Sequence, residues 1–301
     1  MKRRTFCYAL LALAAHRIPA RAAAPLPSPH TLLMEASGLA AQFGRYANVV
    51  AVQLETQLEA MGMDKPRTSQ IIAAFRKRFQ ERVFLPALHA QLKSNLNESD
   101  VYAALRWLTA PDGQAITAAE ITSLDDGVRQ RFPAFQKQLA AIPMTRVAQV
   151  RALQDQLGSV NTELAFQTKL VGALDHAALL LHEPTAKTTP EELEQEARAR
   201  LDGAREEIVR HNLDFALFRY RDIPDDSLKG YEDFLRTAPG GRYQSAVDAS
   251  IQEVLAVSYT RFHADLRGIL TTPKRPVARK KPRTEGHSHH NHDAPHEGDG
   301  E

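Results

Sequence analysis

Five histidines near the end of the chain are the residues whose type and spacing point most directly to chemistry. They are His287, His289, His290, His292 and His296, and acidic residues lie among and after them. Neutral imidazole nitrogens are ligands that Zn(II), Ni(II) and Cu(II) favour. Their spacing fits no fixed coordination geometry, and a flexible segment must lose conformational entropy to form a site. The pattern predicts metal binding by the tail, with an inert polar tail as the alternative reading, and no cofactor is expected to be required.

A basic strip separates these histidines from the body of the chain. It comprises Lys274, Arg275, Arg279, Lys280, Lys281 and Arg283. Proline and charge replace large apolar residues here, so we expect residues 272–301 to be disordered. An anionic membrane surface would attract the strip by about 1 kcal/mol per cationic residue. A solubilising linker is the plainer interpretation.

Catalytic motifs do not stand out elsewhere. The sequence has no Gly-x-Ser-x-Gly elbow, no phosphate-binding glycine loop, no His-Glu-x-x-His helix and no dinucleotide fingerprint. Glu207, His211 and Asp214 share a helical face, but a solvated, salt-bridged surface explains them better than a metal site. We therefore expect a non-enzymatic protein, with an enzyme of unrecognised type as the alternative. Hydrogen-bonded structural roles are expected for His89, His176, His182 and His263.

The first 22 residues have the organisation of a signal peptide. Lys2, Arg3 and Arg4 precede a short apolar stretch over residues 5–15, and residues 20–22 read Ala-Arg-Ala, a small-x-small cleavage pattern. Cleavage after Ala22 and export to the periplasm follow, so nucleic acid is not expected as a partner. The single cysteine of the chain, at position 7, would leave with this segment.

The remaining body has a helical period throughout. Apolar residues recur at three- and four-residue steps, as at Ile71, Phe75 and Phe79. The pattern predicts an all-α protein with helices over 31–61, 69–92, 98–108, 111–139, 145–181, 190–219, 224–235 and 239–270. Pro86 and Pro133 should kink or divide two of them. A hydroxyl, a proline and two acids at residues 189–192 predict a capped helix start.

An internal repeat is the most informative feature of the body. Residues 109–113 read Thr-Ala-Pro-Asp-Gly and residues 237–241 read Thr-Ala-Pro-Gly-Gly, and each follows a short helix and precedes a long one. The offset between the copies is 128 residues here (237 − 109) and 127 at the start of the short helices (223 − 96). We expect the turn threonine to cap the next helix, proline to fit its first turn, and glycine to allow close approach of a neighbouring helix. The repeat predicts two related helical units of about four helices each, 23–143 and 144–271.

The two turns also carry a resemblance to a known family. Residues 107–114, Trp-Leu-Thr-Ala-Pro-Asp-Gly-Gln, and more loosely residues 234–242 resemble the Phe-Tyr-x-Ser-Pro-x-Gly-Lys signature of domain-of-unknown-function family 2059. That family comprises exported helical proteins of Gram-negative bacteria that typically lack an assigned activity. The resemblance implies export and a helical fold, and it transfers no catalytic residue.

Two kinds of function follow from these patterns. In the first, the helical body is a periplasmic binding or scaffold module that offers a groove between its two units to an envelope protein, a peptide or a lipid. In the second, the body carries the histidine-rich tail as a divalent-metal-binding arm.

Overall fold

The computed structural model describes residues 27–272, and within that range the protein is all-α, with no strand. This confirms the predicted fold class. The helices are α1 Pro29–Ala36, α2 Leu39–Ala60, α3 Lys65–Arg78, α4 Glu81–Asn95, α5 Glu98–Leu108, α6 Pro111–Thr122, α7 Asp126–Arg129, α8 Phe132–Gln136, α9 Met144–Gln156, α10 Ser159–His182, α11 Pro190–Gly203, α12 Arg205–Arg219, α13 Asp225–Arg236 and α14 Ala238–Thr271. A 3-10 turn, Leu139–Ala141, lies between α8 and α9.

Several expected long helices are divided by glycine or by short turns. Gly38 separates α1 from α2 with φ 65°, and Gly158 separates α9 from α10 with φ 62°. A left-handed residue cannot continue a right-handed helix, so the chain changes direction at both points. The helix expected over 190–219 divides at Ala204, and the helix expected over 111–139 becomes α6, α7, α8 and the 3-10 turn.

The two internal prolines behave differently. Pro133 stands in the first turn of α8 and marks a helix start, as expected of a dividing proline. Pro86 lies inside α4, which continues past it to Asn95. The expected 69–92 helix divides instead at Phe79 and Gln80, upstream of this proline.

The longest helix, α14, is the centre of the main hydrophobic core. It packs against α3, α4, α5, α10 and α13. Four aromatic rings pack where α3 meets α14, with Phe75 of α3 and Phe79, the residue after α3, against Tyr259 and Phe262 of α14 at centroid separations of 5.2–6.3 Å. This core draws residues from both predicted units, so the boundary at residue 143 does not separate two cores. The division into two units stays a prediction.

Helix α10 has the length and hydropathy of a membrane-spanning helix. Within residues 27–272 it is the one helix with these properties, and 44% of its most apolar window is buried. It packs against α11 and α14. A core helix that packs against its neighbours has the same length and hydropathy.

A smaller second core forms between α6, α9, α12 and α13. Trp107 and Phe234 contact both cores, and their rings stack with centroids 5.5 Å apart and planes inclined by 12°. Tyr231 also stacks on Trp107, at 6.0 Å. These rings therefore join the two cores into one continuous interior.

The two repeated turns fold with the same register. Helix α5 is capped by Asn97 and α13 by Pro224, while α6 is capped by Ala110 and α14 by Thr237. Both pairs differ by 127 residues (224 − 97 and 237 − 110), so the slip to 128 in the Thr-Ala-Pro sequence does not move the helix starts. The slip changes which residue stands at the N-cap, Ala110 in the first turn and Thr237 in the second. The Thr237 hydroxyl accepts a hydrogen bond from the Gly240 amide at 3.1 Å.

The expected threonine cap is therefore confirmed in the second turn and wrong in the first. Thr109 stands one residue before the N-cap position, and its hydroxyl donates back to the Leu105 carbonyl at 2.7 Å. The first-turn prolines are confirmed in both copies, at Pro111 and Pro239. The capped helix start expected at residues 189–192 is confirmed as well, and Thr189 and Glu192 form a reciprocal capping box there.

Glycine allows the close approach that we expected in both turns. A Cβ atom at Gly113 would lie 2.2 Å from the Trp107 carbonyl oxygen, and one at Gly240 would lie 2.0 Å from the Phe234 carbonyl oxygen. Helices α5 and α6 form one helical hairpin, and α13 and α14 form the other. The two hairpins contact each other, since Arg242 of α14 binds Asp100 of α5 and Ser227 of α13 donates to Asp112 of α6. Neither the Trp107 nor the Phe234 carbonyl group can move away from an added Cβ atom without separating the two helices of its hairpin.

We expect Gly113→Ala and Gly240→Ala each to destabilise the protein by about 3 kcal/mol, because the added methyl group overlaps a backbone oxygen. The matched control is Gly268→Ala, also in α14, where an added Cβ meets no atom within 4 Å. That variant should be stabilised by about 0.5–1 kcal/mol. Urea denaturation measures all three, and equal free energies of unfolding for Gly240→Ala and Gly268→Ala would contradict the close-approach role.

Candidate functional site: a polar cavity between helices

Most of the residues singled out for metal binding lie outside the described part of the chain. The five tail histidines, the basic strip and the signal peptide all fall before residue 27 or after residue 272. Of the internal triple, Glu207 and His211 are exposed, and the His211 ring contacts Phe132 at 5.7 Å. Over residues 27–272, no group of three His, Cys, Asp or Glu side chains is placed to hold a metal ion.

A partly enclosed cavity of about 260 Å³ lies between α2, α6, α9, α10, α12 and α14. Its lining comes from both sides of the predicted boundary at residue 143. The volume is slightly below the range of about 300–1,000 Å³ that is typical of small-molecule sites. Six aromatic side chains line it: Phe43, Tyr46, Phe166, Phe215, Tyr231 and Tyr243.

Glu120 of α6 is one of two carboxyl groups in this cavity whose pKa burial raises. The Tyr220 hydroxyl donates to its Oε1 at 2.8 Å, and the Gln42 amide donates to its Oε2 at 3.5 Å. Burial raises the pKa of Glu120, and the nearby Arg219 charge and the two hydrogen bonds only partly oppose that rise. Glu120 therefore keeps its proton to a higher pH than an exposed glutamate.

Arg219 is held in place by aromatic rings and one hydroxyl. Its guanidinium group lies over the Phe215 ring at 5.3 Å and the Tyr220 ring at 5.9 Å, and its Nε donates to Ser123 at 3.2 Å. Cation–π contacts of this kind contribute about 0.5–2 kcal/mol. The guanidinium position is thus fixed by the protein itself.

A second polar region is formed by α10 and α14. Asp248 accepts hydrogen bonds from Gln244 at 3.2 Å and Thr162 at 3.4 Å, and burial raises the pKa of its carboxyl group. Glu163 accepts from Gln167 at 2.7 Å. These hydrogen-bond donors are neutral, so the two carboxyl groups gain no opposite charge from them.

Two amide side chains of the lining have unpaired donors. Gln154 is only 6% exposed, and its Nε2 has no hydrogen-bond partner in the described part of the chain. The same holds for Nδ2 of Asn212. A buried donor without an acceptor costs about 1–3 kcal/mol. Two residues of the cavity lining therefore carry amide donors that no acceptor in the described part of the chain satisfies.

A separate buried polar cluster lies where α10, α11 and α14 meet. The Nδ1 atoms of His176 and His263 are 2.9 Å apart, and both residues are at most 2% exposed. Oε1 of Glu194 lies 3.7 Å from Nε2 of His263, and the Arg267 guanidinium lies 3.4 Å from Nε2 of His176. The expected hydrogen bonding of both histidines is confirmed, although Nε2 of His263 has no hydrogen-bond partner in residues 27–272. Their contact with each other was not predicted.

The pH dependence of stability should report on this pair. Burial, the neighbouring His263 and the Arg267 charge lower the pKa of His176 from 6.5 to about 4. The unfolded chain therefore binds the additional proton first as the pH falls from 6.5 to 4, and the folded state loses stability across that window, by roughly 2–3 kcal/mol.

We expect His176→Gln to remove this part of the pH dependence. Free energies of unfolding measured in urea at several pH values between 4 and 7 test it. The control is His211→Gln at an exposed site, which should retain the slope of the unchanged protein. Identical slopes for the His176→Gln and unchanged proteins would show that the buried pair does not govern acid stability.

Comparisons with protein-family models, with curated proteins and with solved structures find no match to the chain. The cavity must therefore be interpreted from its own residues. No motif in the sequence marked them, because Glu120, Gln154 and Asp248 each occupy an ordinary polar position on a separate helix. The sequence signal for Glu120 is its position next to apolar residues of α6.

Proposed function

We propose that the protein is a helical binding protein that takes a small molecule into the cavity between its helices. The observation that carries this proposal is a space of about 260 Å³ that combines six aromatic side chains with the buried, unpaired donor of Gln154. Small-molecule sites in proteins typically join an apolar lining to a few placed polar groups. A space of this size suits a small ligand better than a peptide or a folded partner.

The proposal extends the groove that the sequence predicts between its two units. Lining residues before and after position 143 face the same space. Export to the periplasm, after cleavage near Ala22, and membership of domain-of-unknown-function family 2059 are part of the proposal, and both rest on the sequence patterns alone. A small molecule of the cell envelope would then be the natural ligand.

An enzymatic role has one supporting observation. Burial raises the pKa of both Glu120 and Asp248, and perturbed carboxyl groups in a cavity are typical of catalytic acids. The described lining contains neither histidine nor cysteine, and the closest partner of Glu120 is the Tyr220 hydroxyl. We therefore favour binding over catalysis.

Filling the cavity should abolish ligand binding without unfolding the protein. We expect Ile251→Phe, in the cavity lining on α14, to lose saturable binding of small aromatic compounds in ligand-observed NMR. A mixture of cationic, neutral and anionic compounds makes this test independent of ligand charge. The matched control is Val257→Phe on the same helix, which is 47% exposed and should bind as the unchanged protein does.

Circular dichroism and thermal unfolding establish that both variants are folded. Binding that persists in Ile251→Phe, or that is absent from the unchanged protein for every compound, would contradict the proposed function. The expected loss is at least tenfold in affinity, since a phenyl group occupies the space that the ligand needs.

Metal binding by the tail is a second candidate function. It rests on the five histidines between residues 287 and 296, which are soft enough donors for Zn(II), Ni(II) or Cu(II). In this reading the helical body carries a metal-binding arm, and the basic strip holds the arm near an anionic membrane surface.

Isothermal titration of residues 23–301 with Zn(II), Ni(II) and Cu(II) tests this candidate against a chain that ends at Leu270. We expect micromolar or tighter binding that disappears with the tail. Binding no tighter than that of a short random histidine peptide would leave the tail without a metal role. Equal binding by both chains would place the metal on the helical body instead.

A further inference from the structure

The cavity carries an excess of carboxyl groups. Glu120, Glu163 and Asp248 line it, and Arg219 is the single basic side chain in its described lining. Arg219 is already engaged with two rings and Ser123. At most one of the three carboxyl groups can therefore be neutralised by the lining itself.

None of these three carboxyl groups forms an ion pair within residues 27–272. Their hydrogen-bond donors are the neutral side chains of tyrosine, threonine and glutamine. The two most buried carboxylates of residues 27–272 differ in this respect, since Asp100 binds Arg242 and Glu232 binds Arg236. Even partial burial of a carboxylate without an opposite charge is costly, so Glu163 and Asp248, both half-buried, favour an arriving cation.

Aromatic rings lie beside one of the carboxyl groups. Glu163 and Phe166 are three residues apart on α10 and therefore share a face, and Phe166 packs on Tyr46 with ring centroids 4.4 Å apart. Phe43 lies 6.4 Å from the same Phe166 ring. Burial and, after it, the charge of Glu163 raise the pKa of the Tyr46 hydroxyl, while the charge of Arg129 opposes that rise. A carboxylate next to aromatic faces is the combination that binds organic ammonium groups.

The polar donors of the lining define the other end of a ligand. Gln154 is buried with its Nε2 unpaired, and Asn212 adds a second unpaired amide donor. Both call for a hydrogen-bond acceptor such as a hydroxyl or carbonyl oxygen. An anionic acceptor would also meet Glu163 and Asp248, and their negative charge would oppose its entry.

Resting on the proposed function, we infer that the ligand of this cavity is a small organic cation, an amine joined to an apolar or aromatic body. The ammonium group lies between Glu163 and Asp248 against the rings of Tyr46 and Phe166. The body of the ligand extends along the remaining aromatic lining toward the unpaired amides of Gln154 and Asn212.

Three phenyl compounds of similar size but different charge test the inference on the full chain. They are phenethylamine, 2-phenylethanol and phenylacetate, with affinities measured by ligand-observed NMR at pH 7. We expect phenethylamine to bind at least tenfold more tightly than the alcohol, and phenylacetate to bind most weakly. Alcohol or phenylacetate binding as tight as the amine would overturn the inference but leave the small-molecule site in place. Failure of all three compounds to bind saturably would overturn both.

Variants with a neutral side chain test whether Glu163 and Asp248 cause the preference for a cationic ligand. Glu163→Gln and Asp248→Asn keep the size of each side chain and one oxygen to accept its present hydrogen bonds. Each should weaken phenethylamine binding about tenfold while changing 2-phenylethanol binding little. The matched control is Glu253→Gln, at an exposed position of α14, which should leave both affinities unchanged. An unchanged preference for the amine in both cavity variants would overturn the assignment.

Discussion

Trp107 stacks on Phe234 where the two hydrophobic cores of the protein meet, and this stack joins them into one interior. Each ring lies at the end of a short helix, six residues before the glycine that closes its hairpin (113 − 107 and 240 − 234). The hairpins can bring the rings together only because both glycines lack a Cβ atom. Tyr231 extends the stack to the cavity wall, so the hairpin geometry also sets one side of the cavity.

The cavity costs the protein stability that a closed core would provide. A space of about 260 Å³ forfeits packing contacts, and buried carboxyl groups without a cation add desolvation cost. The surrounding helices offset that cost through the aromatic packing of α3 on α14 and through bidentate ion pairs such as Arg78 with Asp265. Proteins commonly retain such local destabilisation at binding sites, where the ligand supplies the missing interactions.

Sequence patterns predicted the elements of the fold better than their assembly. The period and the caps located α5, α13, α14 and the start of α11, because those signals are local. The divisions at Gly38 and Gly158 were missed, since a single glycine in a helical pattern is as often tolerated as it is left-handed. Pro86 was the more obvious breaker, yet α4 accommodates it.

The candidate site was beyond the reach of sequence patterns. Glu120 and Tyr220 are 100 residues apart, and His176 and His263 are 87 apart, so only the fold brings them into contact. Each residue alone resembles an ordinary polar position on an amphipathic helix. The residues that did stand out, the tail histidines, owe their prominence to composition, which needs no fold to be visible.

The most direct test of this account is a crystal structure of the protein grown with phenethylamine. We expect electron density for the compound inside the cavity, with its nitrogen within hydrogen-bond distance of Glu163 or Asp248 and its ring against Phe166. A cavity closed by neighbouring side chains, or an amine bound only outside it, would contradict the claim that this space is a ligand site.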